Sequence, residues 1–370
     1  MRKTYAKYLQ LFACALSLIL LITSCKKDSP APPPAPKGPT PIATLGLYEL
    51  DTTTTTATYR RLFIAIAKVG TQSVNRLSVF DTGSAGMTID AAGILPASMI
   101  TNTGIVVPGP VDTVDVNGIT VTATTGTISY GGGSNVTIEY GNLAYAPITL
   151  GDSHGTVTTI RIPFFLYYKV VNQNTGQKLA AHSNDVFGVA PGNSYVSTKI
   201  ASPLSYFKTA ANVTSGFKLA KLSSAGFSTN LTFVPNLLTL GLVPDDLTSA
   251  GFIMHSLSYS STAGYSPDIP ATITYNGKTI QGTLLFDTGT PAFTVIEDHS
   301  AHTLGNLPAG TVITINTTSG FSYQYTTGSG NNLTAVDATL DPRTIFSLDF
   351  FLNNEYLTDY TNHQIGLKNN

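Results

Sequence analysis

The chain has 370 residues, a formal net charge of -1 and 11% charged side chains against 42% hydrophobic ones. With no basic excess to neutralise phosphates, the composition excludes a nucleic-acid-binding protein of the ordinary kind. Weak charge and many Thr, Ser, Gly, Val and Tyr residues describe a strand-rich protein built for export, with its core in β-sheets.

At the amino terminus Arg2, Lys3 and Lys7 precede an apolar run from Leu9 to Ile22, which closes on Ile22-Thr23-Ser24-Cys25. Charged, apolar and small-residue parts in this order are those of a secretory signal, and the run is shorter than the about 20 residues of a spanning helix. With cysteine directly after the small residue, the segment resembles the bacterial lipobox. That resemblance implies a signal peptide over 1–24, cleavage before Cys25 and a lipid on Cys25. The expected location is that of an exported, membrane-anchored lipoprotein of the outer membrane, facing the periplasm or the surface. From Lys26 to Pro41 the chain turns to Pro, Ala, Lys and Ser without apolar periodicity. This is a tether, assigned to residues 25–45, reaching about 50 Å in polyproline-like extension. Cys14 and Cys25 are the chain's two cysteines, so a mature domain would hold no disulfide.

Beyond the tether, Asp51 to Thr56 reads as a loop or a first edge strand, and Leu62 to Gly70 alternates as a strand should. Val79-Phe80 is a short buried run delivering Asp81-Thr82-Gly83-Ser84. Asp112 and Asp115 lack calcium-loop spacing, and the adjacent Asn117-Gly118 predicts a tight hairpin turn. Ile128 to Ser134 carries a glycine run between two strands, and no Lys-Ser/Thr follows to make it a phosphate cradle. Asp185-Val186-Phe187-Gly188-Val189-Ala190 is a buried strand with one glycine. A lobe boundary is expected near Pro244-Asp245-Asp246, with a first lobe over 46–243 and a second over 244–370. Ala271 to Ile280 reads as a hairpin turning at Asn276-Gly277, and Leu285-Phe286 delivers Asp287-Thr288-Gly289-Thr290. Helical patterns are few: Pro203 to Ala211, Glu297 to Leu304 and Ser347 to Asn353. His299 and His302 sit three apart without a third ligand nearby, so they read as surface histidines and no metal is expected. No serine or cysteine nucleophile motif appears.

The two Asp-Thr-Gly segments are copies of one sentence. Each follows two apolar residues and precedes a hydroxyl, and Thr88-Ile89 falls in register with Thr294-Val295, 206 residues on. One such tripeptide is weak evidence, but two flanked copies point to an internal duplication. Two carboxylates brought together can divide the work of activating a water and protonating a leaving group. They share one proton, because like charges a few ångströms apart do not both ionise readily. Glycine lets backbone approach the carboxylate, and the hydroxyl that follows can orient it.

On these residues the chain resembles the pepsin-like aspartic proteases, and the likeness runs in order from about residue 58 to 367. It implies an all-β, bilobal fold with pseudo-twofold-related lobes and a cleft between them. It implies an aspartic endopeptidase with Asp81 and Asp287 as the catalytic dyad. Thr82, Gly83, Ser84, Thr288, Gly289 and Thr290 support that dyad, Tyr130 and Gly131 belong to a flap over the substrate, and Gly188 lies on the strand crossing behind the first loop. No cofactor is implied, the partner is a peptide or protein substrate, and the protein is expected as a monomer. Two departures stand out. Thr88 occupies the place of a family tryptophan that bonds the flap tyrosine, and Ile345-Phe346-Ser347-Leu348 lacks the second crossing-strand glycine, with Leu348 read as its replacement. These favour an alternative, a weak or inactive member of the same fold that binds peptide or glycan. The stretch from Asp287 to Asp349 is also shorter than in the family, implying a trimmed second lobe.

Overall fold

A computed structural model of the chain describes residues 38–369 apart from 53–58, 110, 133–135, 291–292, 331 and 340. The signal segment, Cys25 and most of the tether lie outside the described residues, as do Gly133 and Ser134. Among the described residues no helix is long and apolar enough to cross a membrane. The first strand, Ala43–Asp51, starts within the stretch assigned to the tether.

The architecture is nearly all β, and two lobes repeat one topology. In the first, strands Arg60–Val69 and Gln72–Asp81 form a hairpin, and Val186–Val189 inserts between the second of these and Ala85–Asp90. Val186–Val189 runs parallel to Gln72–Asp81 and antiparallel to Ala85–Asp90, and Gly155–Asn172 adds in parallel to the far side. In the second lobe Ile269–Tyr275, Lys278–Phe286, Arg343–Phe346, Thr294–Glu297 and Thr334–Asp337 repeat that order and those directions. A strand with neighbours on both sides and packing on both faces must be apolar throughout. That is why Val79-Phe80 and Leu285-Phe286 do not alternate just before their aspartates.

The eight strands of the second lobe form their own sheet. The first-lobe sheet continues past Gly155–Asn172 through Thr137–Asp152, Ile119–Tyr130 and Thr113–Val116, and reaches 14 strands by adding Ala43–Asp51, Thr232–Leu242, Thr214–Leu219, Asn354–Asp359, Gln364–Asn369 and Ile253–Ser256 at its other edge. The chain thus returns after the second lobe to pair with the first. One continuous apolar core serves both lobes, and a small satellite of Ile128, Leu143, Phe165, Tyr167, Val170 and Ile200 packs between Ile119–Tyr130, Thr137–Asp152, Gly155–Asn172 and Ser197–Ala201. The predicted turns form as read. Asn117-Gly118 (φ 53° and 71°) and Asn276-Gly277 (φ 48° and 73°) each join two strands through a left-handed pair.

Helix is scarcer than the sequence suggests. Pro203–Ser205 is one 3-10 turn capped by the Ser202 hydroxyl rather than a helix to 211. Glu297 ends a strand and Asp298 opens turns instead of a helix to 304, so His299 and His302 share no helical face. Tertiary pairing wins here: strand Thr294–Glu297 is locked in parallel to Thr334–Asp337 along its whole length. Leu348–Phe351 is helical as expected, though a single turn, and Pro244–Thr248 forms a short helix at the expected boundary.

Candidate active site

The two Asp-Thr-Gly loops meet back to back. The Thr82 amide donates to Thr288 Oγ1 (3.0 Å) while the Thr288 amide donates to Thr82 Oγ1 (3.0 Å). Each hydroxyl then donates across the interface, Thr82 to the Phe286 carbonyl (2.7 Å) and Thr288 to the Phe80 carbonyl (2.6 Å). Both threonines are fully buried. Four reciprocal bonds clamp one loop to the other, and their local twofold is the duplication made physical. Buried donors left unpaired cost about 1–3 kcal/mol each, so the clamp holds only when both halves are present.

The clamp sets the aspartates face to face. A Cβ built on Gly83 would lie 2.5 Å from Asp287 Cγ, and one on Gly289 would lie 2.7 Å from Asp81 Cγ. Glycine at both places is therefore required by the opposite carboxyl, in addition to the backbone approach to its own loop's carboxylate foreseen from sequence. The two carboxyls lie close enough for the charge of Asp287 to act on the Asp81 proton. Asp81 Oδ1 accepts from the Gly83 (2.7 Å) and Ser84 (3.1 Å) amides, and Oδ2 accepts from Ser84 Oγ (2.5 Å). Asp287 Oδ1 accepts from the Gly289 amide (2.7 Å), and Oδ2 accepts from Thr290 Oγ1 (2.6 Å). Burial, then the Asp287 charge, pushes the Asp81 carboxyl far above the ordinary carboxylate range. The Ser84 hydroxyl and the Gly83 amide pull it back down. Such a pair holds a proton at neutral pH and can give one and take one in the same site.

Behind the first loop Gly188 pairs with Asp81, and any Cβ there would come within 2.7 Å of the Ser84 and Gly86 carbonyls. The register corrects the reading of the second loop. Phe286 pairs with Phe346 as Phe80 pairs with Phe187, so the counterpart of Gly188 is Ser347, not Leu348. Leu348 instead begins the buried helical turn whose Phe350 packs 4.2 Å, centroid to centroid, from Phe286.

The hairpin of Ile119–Tyr130 and Thr137–Asp152 ends in Gly131, exposed at φ 94°. Its Tyr130 is half-buried, and the hydroxyl lies next to Ser84 and Thr88 under the field of Asp81, without a hydrogen bond of normal geometry. The structure thus gathers Asp81, Asp287, their flanking residues, Gly188 and Tyr130 at one place.

Three residues near this place escaped the sequence reading. Arg61 donates to the Gly289 carbonyl, bringing a guanidinium to the second loop. Its neighbour Arg60 pairs with Asp349 (2.5 Å) and so ties the first hairpin to the closing helical turn. Glu139, on the second strand of this hairpin, is fully buried; the signal for it was a lone acid in the otherwise uncharged run Val136-Thr137-Ile138-Glu139-Tyr140.

No family model matches the sequence, and no curated protein matches it either. Among solved structures the chain is similar to a crystal structure of an aspartic proteinase from Irpex lacteus. The two are 15% identical, the match covers 88% of this chain and 97% of that one, and the TM-score is 0.52. The likeness is one of fold.

Proposed function

We propose that this protein is an aspartic endopeptidase, and that it acts from a membrane to which a lipid on Cys25 holds it. The observation that carries the first part is the contact of Asp81 with Asp287, presented by two copies of one loop. In the reaction the ionised carboxyl takes a proton from a water as its oxygen attacks the peptide carbonyl carbon. The protonated carboxyl gives its proton to the carbonyl oxygen. The resulting diol collapses, the C–N bond breaks and the amine leaves with a proton from the dyad. Protons balance within the pair, and no metal or cofactor enters. Ser84 and Thr290 fix the angle of each carboxyl, Thr82 and Thr288 hold the loops together, and Tyr130 covers the bound chain.

The test is cleavage of an unfolded protein substrate between pH 3 and 8, beside Asp81→Asn and Asp287→Asn. Both variants should lose about 10²–10⁴-fold in rate, the usual worth of an acid–base group. A second reading, a peptide- or glycan-binding lipoprotein, is favoured by Thr88 beneath the flap tyrosine and by Ser347 opposite Gly188. Retained peptide binding with no cleavage by the wild type at any pH would make it the better one. For the anchor, labelled fatty acid should enter the full-length chain and vanish from Cys25→Ala, which should move to the soluble fraction.

A further inference from the structure

Two polar atoms buried on the flap hairpin lack partners, and they belong to its facing strands. Tyr130 pairs with Thr137 and Ile128 with Glu139, so Tyr130 and Glu139 are diagonal neighbours on one face, within reach of long side chains. Glu139 Oε1 accepts from Asn184 Nδ2 (2.7 Å) and Thr88 Oγ1 (3.2 Å), whereas Oε2 has no partner. The Tyr130 hydroxyl has none either, and after burial the Glu139 charge is the strongest influence on it, ahead of Asp81. A row of polar groups thus leads from Asp81 through Ser84, Tyr130 and Thr88 to Glu139.

We propose that Glu139 is the positioning residue of the flap: its Oε2 and the Tyr130 hydroxyl engage each other, directly or through one water, and the protonation of Glu139 decides which way the tyrosine proton points. As an acid, Glu139 donates to Tyr130 and leaves the phenolic proton facing Ser84 and the dyad. As a carboxylate it accepts that proton and turns it away from the substrate. Burial pushes the Glu139 carboxyl up to about 8, Asn184 and Thr88 oppose the rise, and Asp185 and Asp90 add to it. The groups facing it are Tyr130 from the flap, Thr88 and Asp90 from Ala85–Asp90, Tyr167 from Gly155–Asn172, and Asn184 with Asp185 from the segment before Val186. Arg76 reaches Asp185 (3.8 Å), and among the described residues no cation pairs with Glu139.

The kinetic part of this inference rests on the peptidase reading; the spectroscopic part does not. In Asp81→Asn protein labelled with 13Cζ-tyrosine, where the dyad charge no longer moves it, the Tyr130 resonance should step between pH 6 and 9 and stay flat once Glu139→Gln is added. A step that survives in the double variant, or none in Asp81→Asn, overturns the proposal. Should Glu139→Gln fail to fold, Tyr130→Phe serves: the Glu139 13Cδ midpoint should shift from its wild-type value, and an unmoved midpoint overturns the proposal. With a cleavable peptide, wild-type KM should rise about tenfold across the same step, the worth of one hydrogen bond to a charged group. Glu139→Gln should remove that rise while the pH profile of kcat keeps its shape. A KM rise retained in Glu139→Gln counts against the proposal, whereas a protein that cleaves nothing sinks the peptidase reading and leaves the Tyr130 step to judge this one.

Discussion

Asp81 is 7% exposed and accepts three hydrogen bonds, yet burial and the facing Asp287 hold its proton on well above the ordinary carboxylate range. That arrangement carries a cost in stability whose sign is fixed. Below the unfolded value near 3.8 both states are protonated and nothing is lost. As pH rises the unfolded chain releases the proton and the folded chain does not, so stability falls until the folded value is passed. Asp81→Asn should therefore melt higher than wild type at pH 7 and no higher at pH 3.5, by about 2–4 °C for each kcal/mol relieved. A pH-independent difference in Tm between the two would contradict it. The aspartates and their hydroxyl neighbours were legible because their spacing is written twice in sequence. Arg61 was not, since a guanidinium on a carbonyl 228 residues away leaves no local pattern.

Among the elements, the crossing strands show where duplication has drifted. In the first lobe Ala85–Asp90 pairs with Val186–Val189 at four successive positions, Ala85 to Thr88, and Gly188 lies too close to two carbonyls to accept a side chain. In the second lobe Thr294–Glu297 meets Arg343–Phe346 at a single pair, Val295 with Ile345, among the described residues, and Ser347 is accommodated. Gly188→Ser, which copies the second lobe into the first, should cost about 1–3 kcal/mol by pressing on the Ser84 and Gly86 carbonyls. Ser347→Gly should change stability by less than about 1 kcal/mol. Denaturant titration of the two variants decides it, and equal costs would refute the asymmetry. The strand hairpins and both Asn-Gly turns were legible, because alternation and left-handed pairs are local signals. The register that makes Ser347 the counterpart of Gly188 was not, because it is set by a parallel strand about 60 residues further on. The helix expected from Glu297 failed for the same reason: parallel pairing with Thr334–Asp337 overrode local propensity.

Across the whole molecule, buried acids without cations shape the response to pH. Glu49 lies fully buried on Ala43–Asp51, both its oxygens lack partners, and Oε2 fills the space a side chain on Gly226 would need. Burial pushes it up to about 7, as it pushes Glu139 up to about 8. Both sit in the 14-stranded sheet, Glu49 on the strand between Thr232–Leu242 and Arg60–Val69, and Glu139 on Thr137–Asp152. Each folded value exceeds the unfolded one of 4.5, so the stability they permit is complete below pH 4.5 and is lost as pH climbs through 7 and 8. Asp298 works the other way: although burial opposes it, Lys278, Tyr275 and Ser300 hold its carboxyl low, and its contribution is lost only in strong acid. The molecule should be most stable in mildly acidic solution and weaken by several kcal/mol toward pH 9, at about 1.4 kcal/mol per unit for each acid. Melting curves from pH 4 to 9 should fall in wild type by roughly 10 °C. Glu49→Gln should remove its share of the fall between pH 4.5 and 7, Glu139→Gln its share between pH 4.5 and 8, and the double variant should leave the remainder due to Asp81. A wild-type curve that rises from pH 5 to 8 would show that these carboxyls find partners the folded chain does not provide.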